Sequence, residues 1–536
     1  MPRRPRRARL VPLLAVGLLA LVACGTRLPD QAFTRAGVTV VGSGAANPTA
    51  TAGDGAVTSA TPTAPATAAG AGLATGLPVG PAAGASGGSG GVTVAPSAGA
   101  GGGGGATRAV PSGATPTGAA SATKAAGPNT ASDRGVTPTD IAIGNIVTTG
   151  GPFGPDQFSV SRYGAQAYFQ ALNAKGGING RQVRFIPCAD SSGTTDSASS
   201  CVHQLIDQSK IFAFVANNIF QYGGADYVNA QDVPDIGGQP IDKPYYQYPH
   251  LYTILGSGDA RDGVHLGTDG QNFYTDEAGL FFKQKYGVTK VGVVYYDQAS
   301  SKYGADQAAK GFETAGLTVK EYSVNLGLPN FSSTVAQMQN DGVDMVNDAL
   351  DVNGNQKLCQ AMESNSGFLS KVKVKLSTIS IWTQAVGTQF AGTPKCQSII
   401  FSSGKSASFA DPAGNPEVAQ FQAAMAKYYP SLAPKQAQWM LEGWAAADWF
   451  TSAAESCGAN LTRVCVEHWL NTQPSLTAHG LLDPSISFIK KTPAQETATS
   501  RQCISAVQWD VTRKTWATRA DPNKDCLTAQ GYGYAL

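Results

Sequence analysis

Nine cysteines are the residues of this sequence with the most definite chemistry. Cys24 stands apart, because it follows an apolar segment near the start of the chain. The other eight are Cys188, Cys201, Cys359, Cys396, Cys457, Cys465, Cys503 and Cys526. None shows the C-x-x-C spacing of a zinc or redox site, so we expect no metal site. An even set of cysteines in an exported protein is typical of disulfides.

Proximity along the chain favours particular disulfide pairs. The favoured pairs are Cys188 with Cys201, Cys457 with Cys465, and Cys503 with Cys526, which leaves Cys359 with Cys396. Eight cysteines permit many other pairings, so the connectivity stays open at this point.

The residues most often used in enzyme active sites form no recognisable constellation. The five histidines show neither H-E-x-x-H nor another paired spacing. G-x-S-x-G occurs at 87–91 and G-x-G-x-x-G at 99–104, but both lie in a low-complexity stretch, outside any strand-to-helix turn. We therefore expect a non-enzymatic protein without a cofactor.

The N-terminus has the pattern of a secretory signal. Five arginines precede an apolar run at 10–22, which is too short to span a bilayer comfortably. The run ends in Leu21-Val22-Ala23-Cys24-Gly25, which is similar to a bacterial lipobox. We predict a signal peptide at 1–23, a lipidated Cys24 and a location on the extracytoplasmic face of the cell membrane. The alternative is an ordinary leader with an incidental cysteine.

Composition divides the rest of the chain into a tether and a folded region. Residues 24–134 consist mainly of Gly, Ala, Ser, Thr and Pro, a composition that buries too little apolar surface to fold. The roughly 400 residues that follow exceed one ordinary core and indicate two domains. With only 14% charged residues and a net charge of +2, the chain gives no reason to expect nucleic-acid binding.

Strands and helices alternate through the folded region. An apolar run, IAIGNIV, leads into a glycine-rich loop, a helical segment and then NAKGGINGRQVRFIPCAD. The glycines at 176 and 177 predict a helix end with positive φ, and Asn179-Gly180 predicts a second tight turn before a strand. The repeated βα rhythm predicts an α/β fold with parallel, doubly wound sheets. A second series begins near Gln271, where QNFYTDEAGLFFKQKYG is amphipathic and predicts a helix.

The pattern of a strand, a Gly-Pro loop, a helix, NAKGGING-R-V, a strand and an aspartate resembles one family. It is similar to the extracytoplasmic solute-binding proteins of ABC importers, more narrowly the branched-chain amino-acid (leucine/isoleucine/valine-binding) group with the type I periplasmic binding fold. The resemblance covers about 135–516. It implies two doubly wound parallel-sheet lobes joined by a three-strand hinge. Lobe one is expected at 136–257 and 402–478, and lobe two at 258–401 and 479–530.

The resemblance also implies a ligand-binding set in the loops that follow the strands. In lobe one the matching positions are Thr148, Thr149, Gln157, Phe158, Asn218, Gln221, Tyr222 and Gln239; in lobe two they are Tyr303, Asp351 and Ser380. Structural roles compete with this interpretation, because packing would also explain Tyr303 and helix capping would also explain Asp351.

Two departures from the family separate this chain from its amino-acid binders. The loop that holds the ligand carboxylate with small hydroxyl residues in the family carries amides and aromatic residues here, at 217–222. The acidic position that meets the ligand ammonium falls near Ser380, which carries no charge. A larger, less zwitterionic ligand is therefore as plausible as leucine.

The resemblance implies a lipid-anchored, monomeric receptor that captures a small solute, an amino acid or a related compound, in the cleft between its lobes. Its expected partners are that solute, an ABC permease in the membrane and, through the lipid anchor, the membrane itself. The alternative is a ligand sensor of the same fold that signals to a membrane partner.

Overall fold

The computed structural model describes residues 127–151 and 155–535. These residues belong to one compact unit. The predicted signal peptide, Cys24 and most of the predicted tether lie outside the described residues. Within the described ranges, no helix is both long and apolar enough to cross a membrane.

The first sheet is five-stranded and parallel, in the order β2-β1-β3-β4-β5. Its strands are β1 (Asp140–Thr148), β2 (Gln182–Asp190), β3 (Ala213–Val215), β4 (Asp235–Gly238) and β5 (Leu251–Thr253). The helices between them are α1 (Ser161–Asn173), α2 (Thr195–His203), which continues as a π-helical turn at Gln204–Gln208, and α3 (Ala225–Ala230). All but the first residue of β1 are buried, as expected for a strand covered by helices on both faces.

The second sheet has seven strands, in the order β14-β13-β11-β10-β9-β7-β8. The parallel strands are β7 (Lys290–Tyr296), β8 (Thr318–Val324), β9 (Met345–Ala349), β10 (Val374–Leu376) and β11 (Ile400–Gly404). β13 (Ser505–Asp510) and β14 (Thr515–Ala520) extend it antiparallel. Its helices are α4 (Glu277–Tyr286), α5 (Ala299–Thr314), α6 (Phe331–Asp341), α7 (Val352–Ser364), α8 (Ser366–Leu369), α9 (Val386–Gln389) and α10 (Pro394–Ser398). We call the parts built on the first and second sheets lobe one and lobe two.

A third, antiparallel sheet joins distant parts of the chain, in the order β12-β15-β6. Its strands are β6 (Gln271–Thr275), β12 (Thr499–Cys503) and β15 (Cys526–Ala535), with the short helix α14 (Pro493–Glu496) before β12. The prediction of one helix from residue 271 is wrong for its first turn. Residues 271–275 pair with the C-terminal strand, whose hydrogen bonds outweigh the helical pattern.

Three further helices return to lobe one: α11 (Pro416–Tyr428), α12 (Gln438–Cys457) and α13 (Arg463–Thr472). α12 packs against α1 and β4. Two glycines permit the close approach of α1 and α12. A Cβ on Gly443 would lie 2.0 Å from the Ser161 carbonyl oxygen, and one on Gly164 would lie 1.7 Å from that of Met440. This contact holds the start of α12 beside the carboxyl ends of the first sheet.

The glycine corner after α1 has the conformation that the sequence predicts. Gly176, Gly177, Asn179 and Gly180 all have positive φ. A Cβ on Gly177 would lie 1.9 Å from the carbonyl oxygen of Arg181, so no larger residue fits there. The corner returns the chain into β2, far from the ends of the strands where loops could meet a ligand.

The predicted disulfide connectivity is confirmed in full. Bonds join Cys188 to Cys201, Cys359 to Cys396, Cys457 to Cys465, and Cys503 to Cys526. The first ties the end of β2 to α2, and the last crosses two neighbouring strands of the third sheet.

Three segments connect the lobes, as the resemblance implies. The amide of Ser257 in the first segment donates to the carbonyl of Ser487 in the third, over 3.2 Å. The second segment pairs with the third, because Asp483 N donates to Lys405 O and Ala407 N donates to Leu481 O, both over 2.7 Å. The hinge is therefore a small hydrogen-bonded unit, and the predicted fold class is confirmed. The residue boundaries of the lobes stay a prediction.

Candidate functional site

Thr148 links the loops at the carboxyl end of the first sheet through hydrogen bonds. Its hydroxyl donates to Asp190 Oδ2 over 2.7 Å and accepts from the Phe220 amide over 3.0 Å. The amide and the hydroxyl of the neighbouring Thr149 both donate to the Asp190 carbonyl, over 2.8 and 3.3 Å. Both threonines thus hold together the loops after β1, β2 and β3, which positions the aromatic residues that follow.

Three aromatic rings lie side by side at this end of the sheet. The ring centroid of Phe158 is 5.6 Å from that of Trp439, in a stacked arrangement, and 5.8 Å from that of Phe220. Phe158 and Trp439 are each only 4% exposed. The Trp439 indole N–H has no hydrogen-bond partner among the described residues. Gln157, adjacent to Phe158, is half-buried. The rings form a buried apolar group that includes one N–H without a partner among the described residues.

The two adjacent asparagines after β3, Asn217 and Asn218, differ in their hydrogen bonding. Asn217 accepts from the Ile146 amide over 2.6 Å and donates to Asp235 Oδ2 over 2.9 Å, so it is part of the sheet. Asn218 is fully buried, and neither polar atom of its side chain has a partner within the described residues. A buried amide without partners costs on the order of 1–3 kcal/mol, so it needs a specific reason.

Tyr222 belongs to the core of lobe one. Its hydroxyl donates to Asp235 Oδ2 over 2.7 Å, and the Tyr245 hydroxyl donates to the same oxygen over 2.9 Å. Burial raises the pKa of Asp235 to about 6, against the lowering effect of these hydrogen bonds. Gln221, in contrast, is exposed, and its side chain accepts one long 3.5 Å hydrogen bond, from the Thr195 hydroxyl. The two neighbours therefore face different environments.

Gln239 takes part in a buried network that sequence reasoning missed. Its side-chain amide donates to Glu442 Oε2 over 2.7 Å, and the Ser406 hydroxyl donates to Glu442 Oε1 over 2.6 Å. Gln438 then donates to Ser406 Oγ over 2.8 Å. Burial raises the pKa of Glu442 to about 7. Because Ser406 lies in the second connecting segment, the network links β4 of lobe one to the hinge. The available signal was Glu442, one of two acids within the mostly apolar run QWMLEGWAAADWF.

The predicted residues of lobe two make internal contacts. Asp351 caps α7 by accepting from the Gly354 amide over 2.8 Å, and Oδ1 also accepts from the Tyr296 hydroxyl over 2.7 Å. Ser380 is 9% exposed and lies 2.8 Å from the Thr378 hydroxyl. The Tyr303 hydroxyl lies 3.2 Å from that of Tyr274. For Asp351, helix capping is the role that the structure displays.

The structure thus groups the predicted residues unevenly. Direct contacts gather the lobe-one residues Thr148, Phe158, Asn218 and Gln239, because Asn218 O accepts from Thr148 N and Asn217 O accepts from Gln239 N. We call Thr148, Phe158, Asn218, Phe220, Gln239, Trp439 and Glu442 the strand-end cluster. The lobe-two residues Tyr303, Asp351 and Ser380 have hydrogen-bond partners outside this cluster.

A cavity of about 620 Å³ lies beside the hinge. Residues of all three connecting segments line it, together with β6 and the first turn of α4. Its polar lining includes Tyr246, Asp259, Asn272, Asp276, Glu277 and Lys405. None of the predicted ligand-binding residues lines it, although Tyr303 contacts its wall through Tyr274. We call it the hinge cavity.

Lys405 is the central cation of the hinge. Its ammonium lies 2.8 Å from Glu277 Oε1 and 3.1 Å from Asp483 Oδ2. Desolvation lowers the pKa of Lys405, but the attraction of the two carboxylates outweighs it and the pKa is raised. The lysine therefore stays charged and holds lobe two to the third connecting segment. Across the described ranges, no group of acids, histidines and cysteines could hold a metal ion.

Comparisons with known proteins agree with this architecture. A sequence model of the periplasmic binding protein family matches residues 140–514. No curated protein sequence matches the chain. Solved structures show the same fold at low identity.

Three of these solved structures serve as examples. A fatty acid ABC transporter substrate-binding protein from Thermomonospora curvata is 16% identical, with a TM-score of 0.53 over 74% of this chain and 94% of that one. An ABC transporter solute binding protein from R. palustris in complex with benzoate is 12% identical, with a TM-score of 0.51 over 73% and 98%. A leucine binding protein from Thermotoga maritima is 12% identical, with a TM-score of 0.51 over 71% and 98%.

Proposed function

Because this chain belongs to the periplasmic binding protein family, we propose that it is a lipid-anchored, non-enzymatic receptor. It captures a small solute, an amino acid or a related compound, between its lobes and delivers it to an ABC permease. Hinge motion between open and closed arrangements is the usual mechanism of such two-lobed receptors.

The buried, unpartnered amide of Asn218 is the observation that best supports a solute site in the strand-end cluster. It follows β3, at the carboxyl end of a parallel sheet, where ligands of open α/β sheets bind. The indole N–H of Trp439 is a second donor without a partner among the described residues. A bound solute would supply the missing acceptor and offset the cost of both groups.

The same cluster favours a particular class of solute. The stacked rings of Phe158 and Trp439 give the cluster an apolar part. An apolar body with a carboxylate or amide fits two N–H donors and a ring stack better than a zwitterion does. Benzoate, bound in the R. palustris protein, and fatty acids, after which the Thermomonospora curvata protein is named, have this chemistry.

The other predicted residues complete the proposed site. Thr148, Thr149, Gln157, Gln221, Tyr222 and Gln239 would border it from lobe one, and Tyr303, Asp351 and Ser380 from lobe two. Lobe closure would bring the second group toward the first and exclude water from the solute, which strengthens polar contacts.

Calorimetry on the purified full chain tests this proposal, with benzoate, octanoate and leucine as probes. We expect benzoate or octanoate to bind and to raise the melting temperature. Asn218→Ala should remove most of that binding, whereas Asn340→Ala, on an exposed position of α6, should leave it unchanged. If none of the three probes binds, or if both variants behave alike, the proposed site is wrong.

Membrane attachment is tested separately. We propose that the signal peptide at 1–23 is removed, that Cys24 carries the lipid, and that residues 24–134 tether a monomeric receptor to the membrane. Cys24→Ser should release the protein from the membrane fraction without changing its solute affinity. Retention of the variant in the membrane would contradict the anchor.

A further inference from the structure

The hinge cavity is separate from the strand-end cluster and has a different chemistry. Four carboxylates line it, Asp259, Asp276, Glu277 and Glu496, against two lysines, Lys405 and Lys491. The cavity volume of about 620 Å³ falls within the range of small-molecule sites. Nothing in the proposed solute-binding function uses these side chains.

The two lysines do not neutralise the cavity. Lys405 is shared between Glu277 and the buried Asp483, and Lys491 lies 3.7 Å from Glu496. Among the described residues, no cation lies within ion-pair distance of Asp259 or Asp276. Asp259 accepts from the Ser257 hydroxyl over 2.8 Å, and Asp276 from the Gln530 amide over 2.8 Å. Both therefore have only neutral donors.

Two positive charges act on these aspartates from beyond ion-pair distance. Arg261 acts on Asp259 at longer range, but its guanidinium donates to the Leu251 carbonyl and lies over the rings of Tyr252 and Phe488. Lys283 acts on Asp276 in the same way, and its exposed ammonium donates to the carbonyls of Ala315 and Gly316.

Two oxygens of the lining have no hydrogen-bond partner among the described residues. They are Asp259 Oδ1 and Glu277 Oε2, on side chains of residues that are 3% and 8% exposed. A buried carboxylate oxygen without a donor is costly, and water or a bound donor is the usual remedy. Two such oxygens belong to residues that line one cavity, where a molecule with N–H groups would supply the missing donors.

The remaining lining suits an organic cation. The Asn272 amide donates to the Tyr274 hydroxyl over 2.6 Å, and that hydroxyl donates to Tyr246 over 3.4 Å. Tyr532 and Phe312 contribute further aromatic surface. Aromatic faces beside carboxylates favour cations, because ring quadrupoles and carboxylates attract the same charge.

We propose that the hinge cavity binds a small organic cation with an ammonium group, and that Asp259 and Asp276 are its acidic partners. The alkyl part of the cation lies against the aromatic lining, and its N–H groups supply donors to the carboxylates. Because all three connecting segments line the cavity, the occupant contacts every segment that bends when the lobes move. Such a ligand favours the lobe arrangement in which the cavity keeps this shape.

The test compares probes of equal size on the full chain: n-butylammonium, n-butanol and n-butyrate. Calorimetry should show binding of butylammonium at millimolar concentration and no binding of butanol. Any heat from butyrate should disappear in Asn218→Ala, because the strand-end cluster is the proposed site for carboxylates. Asp259→Asn and Asp276→Asn together should lower the butylammonium affinity by at least roughly tenfold, because charge-assisted hydrogen bonds are the strong ones. Asp448→Asn, on α12, is the matched control, because Asp448 is another buried aspartate whose pKa burial raises, to about 6.

The wild-type probe series decides the matter even if the double variant fails to fold. Equal binding of butanol and butylammonium, or no heat from butylammonium, would overturn the proposal. Equal loss in the Asp448 variant would do the same. Asn218→Ala should leave butylammonium binding unchanged, which separates the hinge cavity from the strand-end cluster.

Discussion

The strand-end cluster and the hinge cavity both hold buried acids, but the partners of Glu442 in the cluster and of Glu277 at the cavity differ. Glu442 in the cluster accepts from Gln239 and Ser406, which are neutral. Glu277 at the cavity pairs with the cation of Lys405. Neutral donors let a carboxylate take up a proton when it is buried, whereas a cation holds it ionised. Glu442 in the cluster and Asp259 at the cavity therefore respond to pH, because burial raises both pKa values. The contact of Glu277 depends instead on one lysine.

The largest expected effect follows from removal of that lysine. Lys405→Met would leave Glu277 and Asp483 without their cation, and Asp483 is fully buried. Breaking a buried pair from one side costs about 3–5 kcal/mol. We expect the free energy of unfolding, measured by urea denaturation, to fall by about 4 kcal/mol.

An exposed lysine provides the control for this experiment. Lys373→Met removes an ion pair to Asp344 at 2.9 Å, but its side chain is 42% exposed. Surface pairs of this kind contribute about 0–1 kcal/mol. Similar losses in the two variants would show that the hinge does not depend on Lys405.

The second prediction concerns the pH response of the strand-end cluster. The pKa of Glu442 is about 7 in the folded protein, against 4.5 for an unperturbed glutamate. Between these values the folded protein holds a proton that the unfolded chain releases. The contribution of Glu442 to stability is therefore full below about pH 4.5 and is lost as the pH rises through 7.

Glu442→Gln should remove this dependence of stability on pH, because a glutamine side chain resembles the protonated acid at every pH. Relative to the wild type, the variant should gain roughly 3 kcal/mol of stability between pH 4.5 and pH 8, the equivalent of the pKa shift. Thermal melts of both proteins over that range measure the difference. A constant difference at all pH values would show that Glu442 is ionised throughout.

The two regions also differ in how far the sequence predicts them. The glycine corner at 176–180 and the short disulfide between Cys457 and Cys465 depend on neighbours in the chain, and both predictions are confirmed. The Gln239–Glu442 hydrogen bond spans 203 positions, and nothing in either local pattern indicates the other residue. The strand at 271–275 pairs with residues near 533, so its helical pattern was misleading. Short-range constraints are visible in the sequence, whereas contacts that close long loops are not.

The third prediction separates a structural tyrosine from a ligand contact. Tyr222→Phe removes one of the hydrogen bonds to Asp235 Oδ2 but keeps the ring in its packed position. A hydrogen bond to a charged group contributes about 1.5–3 kcal/mol, so stability should fall by about 2 kcal/mol. Tyr245→Phe should behave alike, because its hydroxyl reaches the same oxygen. A large loss of solute affinity without loss of stability would make Tyr222 a ligand contact instead.

The smallest expected effect comes from Gln221, which adjoins Tyr222 but is exposed. Its one side-chain hydrogen bond, from the Thr195 hydroxyl over 3.5 Å, is at the limit of a useful distance, so Gln221→Ala should change stability by less than about 0.5 kcal/mol. If the loop closes over a solute as proposed, the affinity should still fall by about 1 kcal/mol, roughly fivefold, because one net hydrogen bond is lost. Calorimetry with the solute and a melt of the same sample measure both quantities. A matched change at Gln182, exposed at the opposite end of the first sheet, should affect neither. Unchanged affinity in the Gln221 variant would restrict the solute to the buried side of the strand-end cluster, at Asn218 and Trp439.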